Sequence, residues 1–354
     1  MERVKATQSP PTRRRCVLPL AEIPVQHAEP LSDLLARAEA REPIASAGKS
    51  GARLERLRID GRPYVLKELD RRSDWTMRAA GVLPGAPALL WSTGLLDRLP
   101  DCLNNPILAV EVGDTTRLLM HDVTEWLVPV TDEPVDLSTH LRLLDHMAAL
   151  HATFWNGGAE LEVVPAMHRY LELSPWTALA EAEAGDPPLV PRLIAEGWPK
   201  LAEVAPRAAE VVLPLAHDPS PLVLALHETP QTFVHGNWKL DNLGTDPDGR
   251  TVLLDWELPG RGPALSDLAW YLAINCRRLP QSKEASIDAY RAALEARGVD
   301  TAPWFDRQLA LCLLGALVQF GWEKALGGYD EELAWWEERA VAAAWGAAGR
   351  AEPG

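Results

Sequence analysis

Val234-His235-Gly236-Asn237-Trp238-Lys239-Leu240-Asp241-Asn242-Leu243 gathers a histidine, two carboxamides, a lysine and a carboxylate into ten residues. Thr251-Val252-Leu253-Leu254-Asp255-Trp256-Glu257 then places two carboxylates at the end of an apolar run. Between the two arms lies Asp246-Pro247-Asp248-Gly249, which has the composition of a tight turn. The turn should fold the arms back on each other, so that Asn242 at the start of one strand comes out beside Asp255 at the end of the other. A carboxamide oxygen and a carboxylate at such a point are hard donors, the kind Mg²⁺ takes when substrate phosphates complete its shell.

Those residues need a scaffold, and the pattern of the chain changes once along its length. Leu31 to Ala40 reads as a short helix, followed by strands over Pro43 to Ala47, Ala52 to Ile59 and Tyr64 to Leu69. Asp60-Gly61 between the last two is a hairpin signal, because glycine supplies the positive φ a two-residue turn requires. A helical stretch is expected around Asp74 to Arg98, then strands over Ile107 to Val112 and Arg117 to Met120 with a turn at Gly113-Asp114. From Ser138 onward the apolar spacing is helical, as in Leu141, Leu144, Met147, Ala148 and His151, apart from a β island at Phe233 to Trp256. Two features of the β-rich front suit a nucleotide. Ser46-Ala47-Gly48-Lys49-Ser50-Gly51 joins two strands and can offer backbone N–H groups to phosphate oxygens, and Lys67 sits inside the apolar strand Tyr64 to Leu69, a position it shares with ordinary edge-strand lysines.

The block from His235 to Asp255 resembles the His-Gly-Asp-x-x-x-x-Asn, strand, Asp signature of aminoglycoside phosphotransferases and related small-molecule kinases. Leu150-His151-Ala152-Thr153-Phe154-Trp155 is similar to a helix of the bacterial branch and of ecdysteroid-kinase-like proteins. The resemblance covers about Ala45 to Gly328 and implies an α+β, bilobal protein-kinase-like fold with a small antiparallel β-sheet N-lobe and a mainly helical C-lobe. On this reading residues 1–30 form a disordered tail, 31–120 the N-lobe and 121–350 the C-lobe, with the catalytic loop at 234–257. It further implies an ATP- and Mg²⁺-dependent transfer to a hydroxyl of a small molecule. Asn242 and Asp255 would hold the metal, His235 would brace the loop, position 237 would face the acceptor, and Lys239 would stabilise charge near the γ-phosphate. Ser46, Gly48, Lys49, Ser50, Gly51 and Lys67 would contact phosphates, and Met120, His121, Asp122 and Val123 would form the hinge that meets the adenine edge. Asp267 would tie the catalytic loop to the helix that follows, whereas His151 reads as a packed helix residue.

Two departures stand out. The family carries its catalytic Asp where this chain has Asn237, and an amide accepts a hydrogen bond but takes no proton at neutral pH. A slow kinase, with Asp241 or Glu257 lending a carboxylate, and a pseudokinase that binds nucleotide or acts as a scaffold both fit that change; so does an enzyme modifying Ser or Thr of a peptide. The second departure is the carboxylate that should pair with Lys67. No Glu occurs between Glu68 and Glu111, which leaves Asp74, Asp97 or Asp101 from shifted positions, or no partner.

The net charge of −15 disfavours nucleic acid as a partner, since binding phosphates needs an excess of Lys and Arg. Arg13-Arg14-Arg15, in a Pro- and Ser-containing segment, reads as a solvated end. Apolar stretches such as Leu309 to Phe320 fall short of the roughly 20 residues that cross a bilayer, so a cytoplasmic location without membrane contact is expected. Cys16, Cys102, Cys276 and Cys312 are too scattered for a zinc or disulfide framework. Trp176, Trp198, Trp322, Trp335 and Trp336 either line an acceptor pocket between the Tyr170 to Val212 segment and the last helices, or belong to the core.

Overall fold

The computed structural model describes residues 16–17, 29–44, 50–83 and 85–348. Most of the expected tail, and Ser46, Gly48 and Lys49 of the Gly-rich loop, lie outside the described residues. A two-residue strand, β1 (Cys16–Val17), precedes a short helix, α1 (Leu31–Ala36), and a meander of β2 (Ala38–Pro43), β3 (Arg53–Ile59) and β4 (Arg62–Leu69). The first helix is shorter than its sequence suggested and the first strand of the meander comes earlier, because Ala38 to Pro43 pairs with β3 as an edge strand. Pairing overrides the weak local preference of that segment. Asp60 and Gly61 both take left-handed backbone, φ 51° and 74°, the geometry of a two-residue hairpin turn.

The helical stretch expected after β4 is broken into α2 (Trp75–Ala80), β5 (Val82–Leu83), which pairs parallel with β1, and α3 (Ala86–Ser92). Gly81, at φ 68°, ends α2, and a proline in the first turn starts α3. Next come β6 (Leu103–Asn104), β7 (Ile107–Val112) and β8 (Thr116–His121). The five-stranded antiparallel sheet has the order β2-β3-β4-β8-β7, with Lys67 on its central strand. Leu31, Leu34 and Leu35 of α1 cover it, packing on Leu57, Ile59, Tyr64, Leu66 and Leu119 in a small core of their own. By contrast, Trp75, Ala79, Leu89 and Leu90 of α2 and α3 belong to the large core of the helical part.

That part begins with α4 (Leu137–Thr153), whose buried stripe includes Leu144, Met147, Ala148 and His151 while Leu141 stays exposed. It continues through α5 (Ala166–Leu171), α6 (Pro175–Ala184), α7 (Leu189–Val204), α8 (Pro206–His217) and α9 (Ser220–His227). The β island follows as β9 (Thr232–Val234), β10 (Leu243–Thr245), β11 (Thr251–Leu253) and β12 (Gly260–Gly262). Then come α10 (Leu265–Ile274), α11 (Lys283–Glu295), α12 (Phe305–Leu326) and α13 (Glu331–Ala348). β10 and β11 form the expected hairpin, and β6 adds to β11 in parallel, so the segment that leads back to the sheet is seated on that hairpin.

The apolar stretch at Leu309 to Phe320 lies within a 22-residue helix, longer than the run of apolar letters. Among the described residues α12 is the one helix long and apolar enough to cross a membrane by length and composition, and 72% of its most apolar window is buried inside the fold. A helix apolar on every side suits this position, since α7, α8, α10 and α13 all pack against it. Gly197 of α7 meets α12 so closely that a Cβ there would stand 2.3 Å from the carbonyl oxygen of Trp322. Of the tryptophans expected at an acceptor pocket, Trp198, Trp322 and Trp336 are core residues where α7 packs on α12, while a cavity of about 620 Å³ opens between α9, α12 and α13, lined by Ala225, Leu309, Leu313, Arg339 and Ala343. Gly197→Ala is expected to push α7 from α12 and cost about 1–3 kcal/mol. The check is the chemical denaturation midpoint; an unchanged midpoint would mean that the two helices part freely.

Candidate active site

Asp267, in the first turn of α10 and fully buried, shapes the loop that follows β9. Its carboxylate accepts hydrogen bonds from the backbone N–H of His235 (2.7 Å) and of Gly236 (2.8 Å), and lies 3.2 Å from Nε2 of His151 on α4. His151 is thus a buried bracing residue, held on its other side by the Tyr290 hydroxyl at 2.6 Å. Although burial alone would raise the Asp267 carboxyl, these contacts with His151 and the loop hold it below the usual range. Gly236 has φ 76°, and a Cβ at this position would lie 2.2 Å from the Leu258 carbonyl oxygen, so only glycine fits.

The His235 ring packs edge-on against Trp256, with centroids 4.5 Å apart. Its Nε2 lies 3.0 Å from the Leu254 carbonyl oxygen, and its Nδ1 accepts from the Asn237 N–H at 3.2 Å. Burial pushes the imidazole down to about 4, so it is neutral near pH 7. With Nδ1 accepting, its single proton sits on Nε2 and is donated to the Leu254 carbonyl.

The hairpin brings Asn242 and Asp255 together: Leu254 N–H donates to the Asn242 carbonyl at 2.9 Å. Asn242 is buried and its amide donates to the Asn237 carbonyl at 3.1 Å, which leaves its other carboxamide atom, the oxygen, as a free donor to a cation. Asp255 takes left-handed backbone (φ 59°), a conformation uncommon outside glycine, and a third of its side chain is exposed. The Asn237 side chain is buried and makes no hydrogen bond among the described residues. Asp241 is exposed and Lys239 half-buried. No group of three His, Cys, Asp or Glu side chains among the described residues is arranged to hold a metal unaided. A divalent ion at Asn242 and Asp255 would need oxygen ligands from elsewhere, as Mg²⁺ bound to phosphates has.

Lys67 pairs across the sheet with Leu118 and Leu54, and its side chain is 9% exposed. Its ammonium lies 2.6 Å from Asp255 Oδ1 and 3.3 Å from Glu257 Oε1. Burial would lower its affinity for a proton, but Asp255 and Glu257 reverse that and hold it charged, well above the ordinary lysine value. In return, Asp255 is held below the carboxylate range despite its burial, whereas burial wins at Glu257 and raises it. Neither Asp97 nor Asp101 reaches the lysine.

Above this pair is an apolar slot between Ile107, Leu118 and Met120 of the sheet and Leu253, Leu254 and Trp256 of the hairpin, with Lys67 and Asp255 at its inner end. Its free space is about 10 Å³, enough for roughly one water, so a nucleobase enters only if the walls part. Of the expected hinge residues Met120 lines the slot, but His121 N–H donates to Pro106 (3.0 Å) and Asp122 N–H to Pro63 (3.4 Å), and Asp122 pairs with Arg56 at 2.7 Å. Those two amides serve the sheet, and among the described residues the Val123 N–H has no protein acceptor. In the Gly-rich loop, Ser50 and Gly51 pack on the turn before α2: the Ser50 carbonyl accepts from Trp75 N–H at 3.2 Å, and a Cβ on Gly51 would sit 2.3 Å from the Ser73 carbonyl oxygen.

One acid escaped the sequence reading, Glu172, and another, Asp74, was read only as a possible partner of Lys67. Asp74 caps α2 and is wholly buried, while Glu172 follows α5, is 5% exposed and has an Oε2 without a hydrogen-bond partner. Burial, with the Glu257 charge nearby, pushes the Glu172 carboxyl up to about 8, and Lys239 acts in the opposite sense. Their sequence neighbourhoods carry no motif, and only packing brings them to the underside of the site.

The sheet, the helical part and the site between them define a kinase-like bilobal fold. Residues 142–305, from α4 to the start of α12, match the model of the Phosphotransferase enzyme family. The structure of choline kinase LicA from Streptococcus pneumoniae superposes with a TM-score of 0.51 at 13% identity, over 88% of this chain and 95% of that one. A thermostable mutant of aminoglycoside phosphotransferase APH(4)-Ia, in ternary complex with ADP and hygromycin B, gives 0.47 at 14% identity, over 91% and 98%. A putative fructosamine-3-kinase from Haemophilus somnus gives 0.47 at 12%, over 88% and 95%. No curated protein matches the chain. The resemblance read from the motif block thus agrees with the family model over residues 142–305, and the fold is shared with choline kinase LicA.

The folded state holds the Glu172 proton more tightly than the unfolded chain does, from an ordinary value of 4.5 to about 8. The stability this contributes is complete below the unfolded value and is lost as pH rises towards 8. Glu172→Gln removes the dependence, so its unfolding free energy should gain on that of the unmodified protein by up to about 1.4 kcal/mol per pH unit between pH 5 and 8. Denaturation curves at four pH values test this, and parallel profiles would sink it.

Proposed function

We propose that the protein is an ATP- and Mg²⁺-dependent phosphotransferase acting on a hydroxyl of a small molecule, with a slow chemical step because Asn237 stands where a base would. The observation that carries this reading is the buried Lys67 ammonium against Asp255, both lining an apolar slot, with Asn242 joined to the strand end before Asp255 across the hairpin. The donor set fits magnesium bound to phosphates, and the slot offers apolar walls to a base. When bound, the metal would neutralise phosphate charge and fix the direction of transfer.

The chain's own contributions follow from the geometry. Lys67 holds phosphate oxygens, its charge maintained by Asp255 and Glu257. Lys239, next to the loop, adds positive charge that Asp255, Glu257 and Glu172 all sense. The free carboxamide of Asn237 orients the acceptor by taking a hydrogen bond from its hydroxyl, whose proton then leaves to water. Asp241 points to solvent and Glu257 is engaged with Lys67, so neither stands in as base. A largely dissociative transition state tolerates that loss, with general-base help worth about 10²- to 10⁴-fold. The fold leaves the acceptor open, since one scaffold serves many substrates.

ATP binding measured by titration calorimetry with Mg²⁺, together with ATP turnover, decides the matter. Asp255→Ala should abolish Mg²⁺-dependent binding, and Asn237→Asp should raise turnover by about tenfold or more. Binding without turnover in both the unmodified protein and Asn237→Asp would make the protein a nucleotide-binding scaffold; no binding at all would refute the nucleotide reading.

A further inference from the structure

A lysine that holds phosphates from the centre of a sheet needs a carboxylate to fix its direction, and in kinase-like sites this comes from the helix of the sheet lobe. Here α2 supplies none in the usual way. Its one acid, Asp74, sits at the N-cap, where Oδ1 accepts from Thr76 N–H (2.9 Å), Thr76 Oγ1 (2.6 Å) and Met77 N–H (3.2 Å). The helix is moreover fastened to the helical lobe. Arg78 makes two bonds to Glu181, at 2.8 and 2.5 Å, and His168 Nδ1 lies 2.6 Å from the Ala80 carbonyl oxygen.

The space under the sheet beside α2 is entered by another carboxylate. Glu257 lines a small cavity with Leu69, Thr76, Met77 and Ala80, on the α2 side of Lys67, while Asp255 approaches the same ammonium at the slot. Two carboxylates on one lysine divide the work. When Asp255 turns its oxygens to a cation, Lys67 keeps a partner only if Glu257 stays, and Glu257, 17% exposed, is in place to do so.

We propose that Glu257 is the positioning residue for Lys67, replacing a carboxylate that α2 does not provide, so that the phosphate-binding lysine is held across the cleft from the helical lobe. The role rests on the nucleotide reading above and adds a consequence to it. In this protein the grip on phosphate depends on the two lobes being closed, because the lysine and its anchor belong to different lobes.

The test compares Glu257→Gln, Glu257→Asp and Asp74→Asn with the unmodified protein in two measurements. In the first, the affinity for Mg·ATP is set against that for adenosine, which has no phosphate. Glu257→Gln should weaken Mg·ATP roughly tenfold, the loss of one charge-assisted bond, and leave adenosine unchanged, with partial recovery in Glu257→Asp and no effect in Asp74→Asn. In the second, acylation of Lys67 by acetic anhydride is followed by mass spectrometry against the exposed lysines, and Glu257→Gln should accelerate it several-fold with no nucleotide present. Unchanged Lys67 labelling in Glu257→Gln overturns the proposal, as does a loss of Mg·ATP affinity in Asp74→Asn that Glu257→Gln does not share. Failure of the unmodified protein to bind Mg·ATP, with labelling altered as expected, overturns the nucleotide reading and the phosphate role while leaving the Lys67 to Glu257 contact in place.

Discussion

One buried carboxylate decides the form of the site. Asp267 has no exposed surface, and burying a charge is costly unless every oxygen is occupied. Its partners are two successive loop amides and one imidazole, so the chain at His235 and Gly236 can run only where those N–H groups converge. Gly236 must then be left-handed, and His235 is turned towards Leu254. The loop's conformation thus follows from a requirement for hydrogen-bond satisfaction on α10, thirty residues further along the chain.

A second balance of charge operates across the cleft. Lys67 is almost wholly buried, and it remains an ammonium because two acids from the helical lobe lie within 3.3 Å. With Asp74 and Glu172 behind them, the underside of the site holds more acid than base, and burial keeps protons on part of it: the Glu172 carboxyl is pushed up to about 8. Such a cluster costs stability. That cost is consistent with a site shaped to receive positive charge, from a metal or a lysine, next to bound phosphate.

The departures from the family pattern therefore have unequal weight. Losing the helix carboxylate is compensated within the structure, since Glu257 reaches the lysine from the other lobe. Asn237 has no such compensation, because Asp241 faces solvent and Glu257 is occupied.

The sequence by itself determined the hairpin at Asp60-Gly61 and the juxtaposition of Asn242 with Asp255, since each depends on local rules of turn residues and short spacing between the arms, while the kinase-like fold followed from the resemblance of the motif block. It placed the bracing residues His235 and Asp267 through the same motif order. It misplaced the first strand of the sheet, whose position is set by pairing with β3 and by no preference of its own. Nor could it supply the partner of Lys67, which lies 190 residues away at Glu257, or the burial of Asp74 and Glu172. Those are consequences of how α2, α5 and the catalytic hairpin pack, and charge environment is a property of that packing, which local sequence does not encode.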